Sequence, residues 1–482
     1  MDLITHTLAP FLGILVVLVV VHEAGHFLTA KLFGVKVLEF GIGYPPRIFT
    51  WKKGETEYTI NLLPLGGFVR LQDEESPGEP EPHSPSTGRG SEEGETLRPA
   101  QDERGDPRSF YNQPPGKRLI IMGAGAFMNF ILAIALFSSA QLIPREVSVG
   151  NAVIAQVVPG SPADRAGLQT GDIIESIGGR TIESVPDASY NIRLRMGENT
   201  EMVLRRTDPV TREVSVIRTR LTPRWAPPPY EYVVQPGDTV DSISQTTTFD
   251  RDAIRQAAGV EFQLPAGKTL IFGTGEDAVH YETIEGDTVA FVATLLRQPD
   301  EAVAAAAGLP TVVPLDPGES LFFTQGPTGI RIGAQYPYTE MRSEDFFGAV
   351  AKGWRNTWDS IKLARNGIYA WIKGGETAPV TGPVGIAQAT GEIVDQAGWK
   401  SLIETAALLS MNLAVLNILP LPFVDGGKMA FVLVEIARRG KRVAPNKEAM
   451  VHIVGMAGLL MLVVVLTYFD IVRIVKGDEL LR

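Results

Sequence analysis

"VVLVVVHEAGHFLTAKLFG", Val16–Gly34, starts as pure hydrocarbon and then places two histidines and a glutamate, His22, Glu23 and His26, inside the same apolar run. A charged carboxylate at bilayer depth costs about 2.5 kcal/mol or more, so such groups face a cavity or a partner. The spacing H-E-x-x-H supplies the partner. His22 and His26 fall one helical turn apart, about 6 Å along the axis, on one face. Two imidazole nitrogens so placed grip one zinc ion, with Glu23 beside them as general base. The plainer reading is a chance pentapeptide with two satisfied histidines. The desolvation cost of burying it in an apolar helix weighs against that.

A chain of 482 residues exceeds one ordinary core, and 44% hydrophobic residues fit a mixture of membrane spans and soluble modules. Cysteine is absent, which excludes a disulfide framework, thiolate metal ligands and a thiol nucleophile. Gln72–Arg108 carries eleven acids against four arginines, so most of the net charge of −11 sits in one polar stretch. No cationic partner follows from it, and no nucleic-acid partner is expected. Its Pro, Gly, Ser and Glu content, with almost no apolar residue, predicts a disordered linker over 72–108.

Four segments have the length and apolarity of membrane spans: about 8–33, 119–143, 402–421 and 449–469. The first lacks a basic leader and a small-residue cleavage site, so it reads as a span and not a signal peptide. Lys428, Arg438, Arg439, Lys441, Arg442 and Lys447 lie between the last two spans, and Lys52, Lys53, Lys117 and Arg118 between the first two. Both loops are therefore expected in the cytoplasm, with the long segment from about 145 to 401 outside. Residues 35–71 alternate like strands. Two similar stretches begin at Tyr232 and Tyr281, each with a Gly-Asp-Thr turn, two helices and a closing strand, which predicts tandem β-α-α-β modules. Trp354, Trp358, Ile361, Ile368 and Ile372 recur at helical spacing and suit an amphipathic helix in the membrane interface.

A catalytic zinc takes three protein ligands. His6, His83, His280 and His452 are the remaining histidines, at a terminus, in the linker, before the second repeat and near the start of the last span. Asp425 is the better candidate. It is the only acid between Glu404 and Glu435, it follows Pro420 and Pro422, and two glycines come after it. The prolines free backbone groups, tolerable only beside protein or a cavity. Asp425 either completes the site or caps the helix that follows.

HEAGH in the first span together with N-x-x-P-x-P-x-x-D-G in a later one resembles the site-2 proteases, intramembrane zinc metalloproteases of peptidase family M50, of the regulator-of-sigma-E-protease type. The resemblance covers 1–72, 109–223 and 326–482. It implies that His22, His26 and Asp425 bind Zn2+ and that Glu23 activates water. It also implies substrate contacts from Gly41, Gly43, Asn412, Asn417, Pro420 and Pro422. Ala126 stands where the family often has proline, and Lys428 where a histidine is common.

The expected fold is a polytopic α-helical membrane protein with about four transmembrane helices. It adds a membrane-associated β-region within 1–71, a second span region over 109–146 and an extracytoplasmic PDZ-like α/β domain over 147–224. LysM-like βααβ repeats follow at 230–273 and 279–324, then an interfacial helix region over 326–400 and the last two spans over 401–482. The implied activity is cleavage of single-pass membrane proteins, of anti-sigma-factor type, in the cell (inner or plasma) membrane, with the lipid bilayer as a constant partner and the active site toward the cytoplasmic side. The LysM-like repeats imply peptidoglycan as a further partner. The alternative is a non-proteolytic membrane-anchored scaffold that binds peptidoglycan.

Overall fold

The computed structural model describes residues 9–72, 106–247, 249, 251–258, 264–272, 279–284, 287–296, 300–309, 315–374, 382–397 and 401–475. His6, His83 and nearly all of the acidic linker lie outside them. The chain forms two compact units: Met1–Arg145, Arg342–Ala364 and Pro379–Arg482 make the first, and Glu146–Met341 with Arg365–Ala378 the second.

The first unit begins with α1 (Ala9–Leu32). Gly34, at φ +75°, ends it. The Val35 N–H returns to the Ala30 carbonyl at 2.9 Å, the closure that a left-handed glycine permits after a helix. The long strands β1 (Val37–Lys53) and β2 (Thr56–Leu71) follow. Both fold back, so that Phe40 has Val69 on one side and Tyr58 on the other. Glu39 is almost fully buried between them, which is tolerable because Arg47 donates to both its oxygens (3.0 and 3.1 Å), Thr59 donates at 3.0 Å and Arg70 lies 3.4 Å away.

At the hairpin turn, Lys31 (2.8 Å) and then Arg108 hold the Glu55 carboxyl at about 2, well below the usual range. A depressed carboxyl stabilises the fold above its ordinary titration near pH 4.3, and that contribution disappears as pH falls toward 2. Glu55 is a third exposed, so the effect is small. Amide protection at the turn, measured against the intrinsic exchange rate at each pH, is expected to weaken below pH 4 in the natural protein and to lose that dependence in Glu55→Gln.

Helix α2 (Pro115–Leu142) opens on proline, whose missing N–H is no loss in a first turn. It crosses α1 closely. A methyl group on Gly25 would overlap the Ala124 carbonyl, so the crossing depends on small residues.

In the second unit β3 (Arg145–Val157), α3 (Pro162–Arg165), β4 (Ile173–Ile177), β5 (Arg180–Thr181), α4 (Val185–Leu194), β6 (Thr200–Thr207) and β7 (Val214–Leu221) form one module. Ile154, Ile174, Ile177, Ile192, Met202 and Leu204 fill its core. The repeats then contribute β8 (Tyr230–Val233), α5 (Val240–Thr247), α6 (Arg251–Ala257), β9 (Thr269–Phe272), β10 (Val279–Glu282), α7 (Val289–Leu296), α8 (Asp300–Ala307) and β11 (Ser320–Phe323). Only after them does β12 (Ile330–Arg342) pair with β3, giving a sheet in the order β12-β3-β4-β6-β7 with β5 on β4. The repeats are thus inserted into the module, and the start of the region expected to carry the interfacial helix is instead its sixth strand.

The repeats differ from two independent units. β8 pairs with β11 and β9 with β10, so each two-stranded sheet takes one strand from each copy. Val234, Val240, Ile243, Ile254 and Leu321 share one core, and Leu270, Val289, Val292 and Val303 share another. The turns are equivalent. Tyr232 donates to Asp238 at 2.8 Å and Tyr281 to Asp287 at 2.9 Å, and each aspartate also accepts a backbone N–H three residues earlier.

The chain continues through α9 (Phe346–Ile372), α10 (Pro383–Ala397), α11 (Ser401–Ile418), α12 (Asp425–Ala437) and α13 (Pro445–Val475). Within the first unit, Gly353 of α9 presses on Ser138 of α2, and Trp354 and Trp358 meet Phe130 edge-on at 6.1 and 6.0 Å. The tryptophan face of α9 is therefore partly spent on α2, with about half of each indole left open. Helices Ala9–Leu32, Pro115–Leu142, Ser401–Ile418 and Asn446–Val472 are long and apolar enough to cross a membrane. These are the four expected spans. The third stops three residues short of the expected end, because Pro420 and Pro422 cannot continue it.

Candidate metal centre

Helix α1 presents His22 and His26 on the face that crosses α2, and the Asp-Gly-Gly opening of α12 brings Asp425 to the same point. His22 Nε2 lies 3.0 Å from Asp425 Oδ2, His26 Nε2 lies 3.3 Å from the same oxygen, and the two Nε2 atoms are 3.2 Å apart. Asp425 belongs to the first turn of α12, yet its carboxylate goes to the imidazoles and the helix has no side-chain cap. Donors around a tetrahedral zinc at about 2.0–2.1 Å stand roughly 3.3 Å apart, so this near-equilateral triangle has the edge length of three ligands on one ion. No other group of three or more acidic or histidine donors among the described residues could hold a metal ion.

The surroundings fit the same group. His26 Nδ1 donates to the Ile121 carbonyl of α2 at 2.8 Å, which leaves Nε2 as a lone pair toward the cluster. His22 Nδ1 faces the fully buried Asn129, whose Nδ2 is 3.4 Å away and whose Oδ1 has no protein partner. With Nε2 turned to a cation, His22 Nδ1 carries the proton, and rotating the Asn129 amide by half a turn offers it that oxygen. Ser410 of α11 fixes Asn129 through its backbone carbonyl at 2.8 Å. Beneath the rings lies Gly125, where a Cβ would overlap His26 Nε2 and crowd His22.

Glu23 faces the hairpin. A Cβ on Gly67 of β2 would come to 3.1 Å from Glu23 Cγ and 2.9 Å from Val19, so the bare position 67 lets the strand lie close against Glu23. Gly41, opposite Phe68 and Thr59, and Gly43, at φ +80°, belong to the same sheet; Asn61 donates to the Gly43 carbonyl at 3.0 Å. The expected substrate residues Asn412 and Asn417 lie on α11, the first exposed and the second half-buried. Pro420 is exposed, and Pro422 packs into the gap left by Gly455 of α13.

Sequence reasoning missed Gly67, Gly125, Ile121 as acceptor, and His452, which accepts the Phe423 N–H at 2.9 Å. The run of small residues around Gly125 and the paired Gly66-Gly67 were the available signals.

Paired imidazoles on a helix of membrane length, met by a carboxylate from the first turn of α12 and with a glutamate one residue from the first imidazole, define a metallopeptidase of the membrane. The chain belongs to peptidase family M50, whose sequence profile matches residues 10–462. Among its relatives is the zinc metalloprotease RasP of Oceanobacillus iheyensis, 26% identical over 97% of this chain and 99% of the relative. The RasP of Geobacillus kaustophilus is 25% identical over 96% and 97%.

Proposed function

We propose that this protein is an intramembrane zinc metalloprotease that cuts the membrane-spanning segments of single-pass proteins, of the anti-sigma-factor type that the family resemblance implies. The observation that carries it is the three-donor triangle of 3.0, 3.2 and 3.3 Å between His22 and His26 on the membrane-length α1 and Asp425 in the first turn of α12. These three residues hold the zinc. Bound there, zinc supplies a Lewis acid for the scissile carbonyl and lowers the pKa of water toward 7. Glu23 takes the proton of the attacking water and delivers it to the departing amine. Gly67 places β2 alongside Glu23, so a substrate unwound into an extended strand and added to this hairpin would run past the base. Gly41, Gly43, Asn412, Asn417 and the prolines 420 and 422 line its path.

The basic residues 438–447 set the cytoplasmic side of α12 and α13, with the PDZ-like module and the LysM-like pair on the opposite side. The exchanged LysM-like pair binds peptidoglycan and ties the protease to the wall. In vesicles holding the full chain and a single-pass substrate, a zinc chelator is expected to stop cleavage and added zinc to restore it; cleavage that survives full metal removal sinks the proposal. The detergent-purified chain is expected to be retained on peptidoglycan, and the chain lacking 230–324 to wash through. Equal retention of both would remove the wall from the reading.

A further inference from the structure

The turn between α11 and α12 holds Asp425 in place, and its backbone is strained. Phe423 sits at φ +83°, a region that bulky residues seldom adopt and that the surroundings must enforce. The Leu421 N–H reaches back to the Leu419 carbonyl at 2.7 Å, and the bare Gly426 and Gly427 let the Leu419 and Leu421 carbonyls press against the start of α12. Two residues after Phe423, the Asp425 carboxylate meets both imidazoles. Helix α13 touches this turn with two positions one turn apart. His452 Nδ1 accepts the Phe423 N–H at 2.9 Å, and Gly455 leaves room for the Pro422 ring. Most of α13 otherwise faces outward with exposed apolar side chains. Its polar grip on the turn is thus at the strained residue.

We propose that His452 is a positioning residue for the metal centre: by accepting the Phe423 N–H it holds the left-handed turn that aims Asp425 at His22 and His26. This rests on the assignment of those three residues to zinc. Without the acceptor, position 423 relaxes toward negative φ, and the carboxylate two residues on loses its alignment. The role is chemical, because the acceptor matters, and conformational, because a residue at ease with positive φ would make the acceptor unnecessary. Mere packing by His452 has neither property.

The test is zinc affinity of the purified full chain, read by competition with a chromophoric chelator. His452→Leu is expected to bind zinc 10- to 100-fold more weakly, the usual range for groups that orient ligands. His452→Asn, whose Oδ1 takes the place of Nδ1, is expected to stay within about threefold of the natural protein. Adding Phe423→Gly to His452→Leu is expected to recover most of the loss, since glycine adopts positive φ freely. Natural affinity in His452→Leu overturns the proposal, as does His452→Asn as weak as leucine. A double variant that recovers nothing also overturns it, and that arm decides if His452→Leu alone does not fold. Asp425→Ala, measured alongside, separates the two levels. Zinc kept in that variant sinks the ligand assignment. Zinc lost there but kept in His452→Leu sinks only the clasp.

Discussion

Glu23→Gln is expected to keep its zinc and lose cleavage. Glutamine matches glutamate in size, and Glu23 is not one of the three donors within 3.3 Å of one another, so the metal has no reason to leave. The amide cannot accept a proton from water at neutral pH. General-base assistance is worth about 100- to 10,000-fold in rate, and in the proposed mechanism the same group also protonates the departing amine, so the loss belongs at the upper end. The measurement pairs zinc stoichiometry with kcat on a single-pass substrate. Turnover within tenfold of the natural protein would falsify the role given to Glu23. Loss of zinc would show instead that Glu23 shapes the binding site.

The candidate metal centre was legible because two of its proposed ligands are a helical pattern and the third an anomaly. His22 and His26 are four apart, a spacing that means one face only on a helix. Asp425 stood out as a lone acid in an apolar stretch broken by two prolines. What the sequence could not give was the floor. Gly125 matters because an imidazole nitrogen lies 2.4 Å from where its Cβ would be, and Gly67 because Val19 at 2.9 Å and Glu23 at 3.1 Å crowd the place of its Cβ. Each fact needs the crossing of two separate elements. His452 is of the same kind. Its position beside Phe423 depends on how α13 returns to the turn, and its place at the edge of a span gave no hint of it.

The spans were legible by length, while strand partnership in the second unit was not. The closing strands TLIF and SLFF bury the same alternate positions. The opening strands, which begin at Tyr230 and Val279, are equally alike. Any pairing of one opener with one closer satisfies the pattern, so sequence cannot choose between closure within a copy and closure across copies. The exchange has a physical consequence. Each core contains side chains from both copies, so removing either copy opens the core of the other. The strand β12 was hidden for a related reason. Its partner β3 lies more than 170 residues earlier, beyond any local signal.

Gly125→Ala is the second large effect, and it acts without replacing any of the proposed ligands. The added methyl would overlap His26 Nε2 and come within 2.6 Å of His22 Cε1, and the backbone that carries it is the middle of α2. The helix cannot back away cheaply, because Gly25 of α1 already lies against the Ala124 carbonyl at the same crossing. The imidazoles must therefore turn aside, and His26 then loses its bond to Ile121 and its line to Asp425. Disturbing a group that only orients a ligand costs about 10- to 100-fold in metal affinity. Displacing two proposed ligands exceeds that, so zinc binding is expected to fall by more than about 100-fold and cleavage with it. Gly123→Ala is the control, two residues away on the same helix. Its methyl would meet only the Met429 side chain at 3.6 Å, an ordinary contact, so affinity is expected to stay within about threefold. If both alanines behave alike, the loss reports the helix; if only position 125 responds, it reports two rings pressed against bare backbone.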